Sequence, residues 1–558
     1  MKMRLVLPAA AAAVLIVGAL NAQVKPNPLP RIVEKDGRYA LMVDGAPYLA
    51  LAAQTRNSSA WPSVFPKLWP MPLGYMQVNT VETPVYWNQF EPQPGHYDTS
   101  SVDMLLAEAR KHQVRLVLLW FATWKNGSQH FMPDWMKLDP AKYAHAIGKN
   151  GKAVDSPSPF ATASLEADKT AFAALMRHLK EADPQHTVIM VQVENESGDW
   201  GSVRDFSPVA QKVFEAPVPP EVLKAMGVTG SSPAPSWQDA FGADADEYFN
   251  AWSIAKYVGQ VAAAGKAVYP LPMYANASLR NPLKPGPAST YESGGPTDNV
   301  LPIWKAEAPA LDILAPDNYQ TDPAAYVKDL ELYARADNPL FVPETGRPIN
   351  SRFFFTALGL GAIGLSPSGG NTEGEFKAGV DSQARRDFLE PWAMNNRLLG
   401  PMQREIAWLN FEGKLRAVAE EQGKPTQTLT VGDWTVLVSY GGPGRGPATG
   451  NPTPEGRVLV GQLAENQFLV TGYFCHVDFR PAGTEEQRRA GGIEIGAGQN
   501  PSAKIDGKWQ TRQFLKVEEG TYENGVFKFL RILNGDETDW GLSFTGDPLV
   551  VRVSLATY

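Results

Sequence analysis

The feature that most constrains this chain is a rhythm. From residue 79 to residue 365, short and nearly uninterrupted apolar runs alternate with longer segments whose apolar positions recur at helical spacing. Val114 to Phe121 (VRLVLLWF) and Thr187 to Val193 (TVIMVQV) have almost no polar face, as strands covered on both sides require. Between them, Leu165 to Leu179 places Phe172, Leu175, Met176 and Leu179 along one side of a helix. Val102, Leu105, Leu106 and Ala109 do the same behind Ser100 and Ser101, which are possible caps. Further strand-like runs follow at Asn79 to Val85, Ala267 to Met273, Leu311 to Ala315, Pro339 to Val342 and Gly361 to Leu365. Strand, helix and strand at this pace build parallel βαβ units. About eight such runs, several ending in polar residues, predict an α/β fold of the closed (β/α)8 TIM barrel type.

The rest of the chain differs in texture. Residues 1–22 carry Lys2 and Arg4, then an apolar run from Leu5 to Leu20, then Asn21 and Ala22, the pattern of a secretory signal peptide; a retained membrane anchor is the alternative. Export to the periplasm or the medium is the expectation, with no membrane attachment once the signal is removed. In the barrel region, 23–405, apolar runs from Arg31 to Ala53, broken at the turns Asp36-Gly37 and Asp44-Gly45, predict a lead-in of short strands before the first barrel run. The stretch 201–240, rich in Pro, Ser and Gly in its middle, reads as a long surface loop after the fourth strand. Helical spacing nearly vanishes after Trp408, and turns such as Gly432-Asp433 and Asn524-Gly525 separate short strands. Residues 406–558 therefore read as an all-β domain, a sandwich or jelly roll.

Composition narrows the chemistry. The 558 residues hold 51 Lys and Arg against 59 Asp and Glu, a net charge of −8, which disfavours nucleic acid as a partner. One cysteine, Cys475, leaves no disulfide framework and no Cys-based zinc cluster; it reads as a buried thiol. The seven His show no metal-ligand spacing, no G-x-S-x-G elbow occurs, and the GLGAIG of 359–364 does not open the first βα turn of a dinucleotide fold. No metal and no cofactor are expected.

Two glutamates stand where catalysis in such a barrel is carried out. Val191-Gln-Val-Glu-Asn-Glu196-Ser-Gly follows a buried run directly, and Pro339-Leu-Phe-Val-Pro-Glu344-Thr-Gly ends another, 148 residues later. Strand alternation predicts that Glu194 and Glu196 point one way and Asn195 the other, unless the strand end twists or bulges. Carboxyl groups at the C-terminal mouths of two strands suit glycoside hydrolysis, which needs one acid for the leaving oxygen and one carboxylate opposite the anomeric carbon.

QVENESG around Glu196 resembles the acid/base motif of the family 35 glycoside hydrolases, β-galactosidases of the clan A barrel enzymes. NTVETPVYWNQFEPQPG, from Asn79 to Gly95, is similar to that family's second strand and following loop. The likeness runs with interruptions from about residue 31 to 370. It departs at Ser197, at Gln185-His186-Thr187 before the fourth strand, and at Trp124-Lys125-Asn126-Gly127 after the third. The resemblance implies that Glu196 is the acid/base and Glu344 the nucleophile of a retaining mechanism. It implies further that Asn195 binds the sugar 2-hydroxyl and Tyr319 orients the nucleophile. Glu82, Trp87, Trp124 and Asn126 are candidates for sugar contacts, with core or loop packing as the alternative for each. Tyr86 is a weaker candidate, since the family's sugar-contacting tyrosine aligns nearer Pro84. The implied activity is an exported retaining exo-β-galactosidase acting on oligosaccharides or plant polysaccharide side chains. The alternatives are the same mechanism on a β-xyloside, β-arabinoside or β-glucoside, and a non-catalytic carbohydrate-binding protein.

Overall fold

Eight parallel strands close into a barrel: β1 (Ala50–Gln54), β2 (Thr80–Tyr86), β3 (Arg115–Lys125), β4 (Val188–Asn195), β5 (Met273–Ser278), β6 (Ile313–Asn318), β7 (Phe341–Thr345) and β8 (Gly364–Pro367). The computed structural model describes residues 27–230, 233–368, 383–441, 447–481, 502–505, 508–538 and 541–557; the segment expected to be a signal peptide lies outside them. β8 returns to β1 with Gly364 opposite Ala50. A Cβ on Gly364 would come within 2.6 Å of the Ala50 Cβ, so the seam that completes the ring depends on a residue without a side chain.

Helices cover the barrel. Ser100–Lys111 follows β2, Thr162–Ala182 follows β3, and Ala245–Val268 precedes β5. The last two pack so closely that a Cβ at Gly265 would meet the Phe172 ring at 2.3 Å. The cap of Ser100–Lys111 is not a serine hydroxyl: Asp98 Oδ1 accepts the Ser100 N–H at 2.9 Å. A lead-in sheet of Arg31–Lys35, Arg38–Val43 and Ala46–Tyr48 turns at Asp36-Gly37 and Asp44-Gly45, all four with positive φ.

Three readings of the sequence change. Ala50–Gln54, taken there with the lead-in, is the first barrel strand. The apolar run at 267–273 is the end of a helix and a turn, and β5 starts only at Met273; a short apolar run looks the same in either setting. The segment 201–240 is not an open loop. It holds the short helices Pro208–Phe214, Pro220–Ala225 and Trp237–Phe241, with Ala210, Val222 and Trp237 buried, and its prolines start the first two of these helices.

After the helix Gln403–Phe411 the chain becomes β. One sheet runs in the order Leu415–Ala419, Arg457–Ala464, Gln467–Tyr473, Leu549–Thr557, Lys508–Glu523 and Ser502–Ile505, with Val526–Leu533 alongside. A second comprises Thr426–Val431, Trp434–Ser439, Cys475–Pro481 and Leu542–Phe544. Val436, Val438, Val477 and Phe479 of the second sheet pack on Val458, Val460, Phe468 and Val551 of the first, which makes a sandwich. The other face of the larger sheet, through Leu459, Leu469 and Tyr473, joins the core of the barrel. Among the described residues, no helix is long and apolar enough to cross a membrane.

Candidate active site

The end of β4 does not continue its alternation. Glu194 has φ 63° and Glu196 φ 44°, left-handed conformations that cost on the order of 1 kcal/mol or more each for a side chain with a Cβ. The resulting twist separates the two glutamates. Glu194 is fully buried beside Asp168 of the helix Thr162–Ala182, and its Oε2 accepts the Trp124 N–H at 2.7 Å. Burial first, and then the neighbouring Asp168 carboxyl, push Glu194 well above the usual carboxylate range. Asn195 and Glu196 face the barrel mouth instead.

Glu344, four residues along β7, meets them there. Gln54 Nε2 donates to its Oε1 at 2.7 Å, Asn195 Nδ2 to the same oxygen at 3.3 Å, and the Tyr319 hydroxyl to Oε2 at 3.1 Å. These donors come from β1, β4 and the residue after β6, so three barrel elements fix a carboxylate carried by a fourth, β7. Ser368 Oγ in turn donates to Gln54 Oε1 at 2.8 Å. One oxygen each of Glu196, Asp317 and Glu344 lies within 4.8 Å of the others. Glu196 is pushed up to about 7, first by burial and then by the negative charge of Glu344, while the Lys125 ammonium pulls the other way. Both glutamates keep a small opening to solvent, each 7% exposed. They line a cavity of about 1120 Å³ whose wall also includes Gln54, Lys125, Asn126 and Tyr319.

Among the described residues, Glu196, Asp317 and Glu344 form the only grouping of three ligating side chains tight enough for a metal ion. The set contains no imidazole, and burial with mutual repulsion favours protons on Glu196 and Asp317, a state suited to proton transfer more than to ligation.

The other expected contact residues divide. Tyr319, 42% exposed, and Asn126 reach the cavity, where the Asn126 carboxamide oxygen accepts the Lys125 ammonium. Asn195 is beneath it and holds Glu344; its Oδ1 is buried with no protein partner. Glu82 and Trp124 are not sugar contacts in this arrangement. Glu82 lies deep in the barrel, 0% exposed, accepting the Tyr274 hydroxyl at 2.9 Å. Trp124, also 0% exposed, points outward onto Tyr257 of the helix Ala245–Val268, ring to ring at 4.9 Å. Trp87 is equally buried and donates to Glu91, and the Tyr86 hydroxyl accepts the Ala60 N–H.

Four functional positions escaped the sequence reading. Gln54 ends an apolar run as Glu344 does, a signal hidden by the assignment of that run to the lead-in. Asn276, whose Oδ1 accepts the Glu196 N–H at 3.0 Å, was hidden by the misplaced β5. Asp317 stands two residues before Tyr319, and Lys125 sits inside a segment noted only as a departure from family 35.

Residues 393–545 match the domain of unknown function DUF5597. No match is found among the curated proteins. Among solved structures, the chain is similar to the β-galactosidase from Bacillus circulans sp. alkalophilus, at 15% identity over 64% of this chain and 57% of that one, TM-score 0.46. It is similar to a GH42 β-galactosidase from G. stearothermophilus at 14% identity over 65% and 58%, TM-score 0.47. The catalytic domain of the β-amylase from Paenibacillus polymyxa aligns at 14% identity over 57% of this chain and 91% of that one, TM-score 0.41. The chain thus spans less than two thirds of the length of either β-galactosidase.

Proposed function

We propose that this protein is a glycoside hydrolase, and specifically an exported retaining exo-β-galactosidase. The observation that carries the reading is the pair Glu196 and Glu344 at the C-terminal ends of β4 and β7, with carboxylate oxygens within 4.8 Å. Retaining enzymes hold their two carboxyls about 5–5.5 Å apart, whereas inverting ones need about 6.5–9.5 Å to seat a water between them. The environments also differ in the sense the reaction needs. Three donors converge on Glu344, as an ionised nucleophile requires. Glu196, at about 7, can carry a proton at neutral pH.

Glu344 attacks the anomeric carbon while Glu196 gives its proton to the departing oxygen. Glu196, now a carboxylate, then takes a proton from the water that attacks the glycosyl ester and frees Glu344. The unpartnered Asn195 Oδ1 supports a contact to the sugar 2-hydroxyl, where hydrogen bonds strengthen in the transition state. Tyr319, still protonated because burial and the Glu344 charge push its phenol up, keeps donating to the nucleophile. A cavity of about 1120 Å³ is at or above the upper end of the common ~300–1,000 Å³ range, which supports an oligosaccharide or polysaccharide side chain as the substrate. The apolar run behind Lys2 and Arg4 supports export.

Replacing Glu344 with Ala tests the assignment. Hydrolysis of an aryl β-galactoside should be abolished and partly restored by azide or formate; full activity in the variant overturns it. A panel of aryl β-galactoside, β-xyloside, β-arabinoside and β-glucoside tests the sugar. Saturable sugar binding with turnover of none of these would leave a binding protein.

A further inference from the structure

A two-carboxylate reaction is housed here among three carboxyls. Asp317, next to last in β6, stands opposite Glu344 of β7, is buried, and has an oxygen within 4.8 Å of both Glu196 and Glu344. Its Oδ2 accepts Asn276 Nδ2 at 2.6 Å, and the same Asn276 accepts the Glu196 backbone N–H through Oδ1 at 3.0 Å. One amide therefore ties Asp317 and Glu196 to a common frame. Asp317 Oδ1 is buried and receives no donor. The Asp317 carboxyl nevertheless lies against that of Glu196, an oxygen of each within 4.8 Å of the other. Ionised carboxylates have no proton to share and repel one another in a buried site, so this packing favours the neutral acid at one of them.

The reaction proposed above makes this consequential. Negative charge rests on Glu344 before attack; in the glycosyl-enzyme Glu344 is an ester and Glu196 is the carboxylate. A third permanent anion beside Glu196 would oppose that transfer, whereas a neutral acid there would welcome it. We propose that Asp317 is a positioning residue for the acid/base, remaining the neutral acid through turnover and donating its hydrogen bond to Glu196 whenever Glu196 is ionised. This rests on the retaining assignment of Glu196 and Glu344. No bond to Asp317 is made or broken, and its proton stays on it.

The surroundings agree. Burial first, then the charges of Glu344 and Glu196, hold Asp317 well above the usual carboxylate range, against the pull of Lys125. Glu196 faces Glu344 on β7, Lys125 on β3 and the buried Glu292 after β5. Asp317 also faces Tyr274, Tyr319 and Tyr333, phenols all pushed upward by burial and so neutral.

The test is the pH profile of kcat/KM for a β-galactoside with a poor leaving group, where loss of the Glu196 proton sets the basic limb. Asp317→Ala removes a donor that favours ionised Glu196, so the limb moves upward, by about one pH unit. Asp317→Asn keeps an N–H donor and shifts it less. A downward shift in both variants means that Asp317 is an anion in the resting enzyme, and a lower rate with an unmoved limb means that it only packs; either overturns the proposal. Infrared spectra of protein carrying carboxyl-13C aspartate, wild type minus Asp317→Asn at pH 7, read the protonation directly and need no substrate. Loss of a protonated-carboxyl band is expected, and loss of a carboxylate band instead overturns the proposal. Absence of turnover in the wild type would count against the retaining reading alone, since the infrared result still decides the state of Asp317.

Discussion

Buried acids of the barrel and of the sandwich show how differently the protein treats a carboxylate. Glu420, after the first strand of the sandwich, accepts four hydrogen bonds, from the N–H groups of Asn451, Glu455 and Gly456 and from the Asn451 side chain. Both of its oxygens are answered by donors, so it ties the end of its strand to residues 451–456. At the barrel mouth, Glu196 and Asp317 are packed against each other and against Glu344, with an Asp317 oxygen left without a donor. Burial without compensation is costly, and proteins keep such groups ionisable chiefly where protons must move. Among the described residues, every other buried Asp or Glu lies before residue 393, and the core between the sandwich sheets is built from apolar side chains with the single thiol of Cys475.

The contrast can be broken in several places. The largest effect is expected from Glu344→Ala, a loss in kcat on the order of 10⁴-fold or more, measured with an aryl β-galactoside. Glu196→Gln should cost about 10²–10⁴ on a substrate with a poor leaving group and much less on one whose leaving group needs no proton. An equal loss on both would deny Glu196 the role of acid. Glu420→Ala should do the opposite. It leaves buried donors unpaired at about 1–3 kcal/mol each, visible as a lower Tm, while kcat/KM per folded molecule stays unchanged.

The smallest effect is a pH dependence of stability. Glu196 sits at about 7 in the folded chain against its ordinary 4.5. Between these values the folded state binds the extra proton, so stability contributed by this group declines as pH rises from about 4.5 to about 7 and is level above. Thermal melts of Glu196→Gln should lack that part of the decline; an identical pH dependence in both proteins would place Glu196 nearer its ordinary value.

Much of this was visible in the order of residues. A polar side chain closing an otherwise apolar run marks the rim of a barrel strand, and that rule placed both Glu196 and Glu344 there. It also marks Gln54, once β1 is recognised. What it could not supply is depth and direction. Glu82 and Trp124 lie on the right strands, but one points inward below the rim and the other outward into the helical layer. Asn195 was expected to face away from Glu196, and the positive φ values at Glu194 and Glu196 reverse that, a local strain with no signature in residue type. The sandwich was legible from its turns, whereas the helices of 201–240 were hidden because proline opens a helix as readily as it interrupts one.

The central claim is that Glu344 attacks the sugar directly, with Glu196 as the acid beside it. Proton NMR of an aryl β-galactoside during the first minutes of hydrolysis, before the released sugar mutarotates, reads this from the anomer formed first. The account predicts β-galactose; α-galactose would mean inversion and would contradict it.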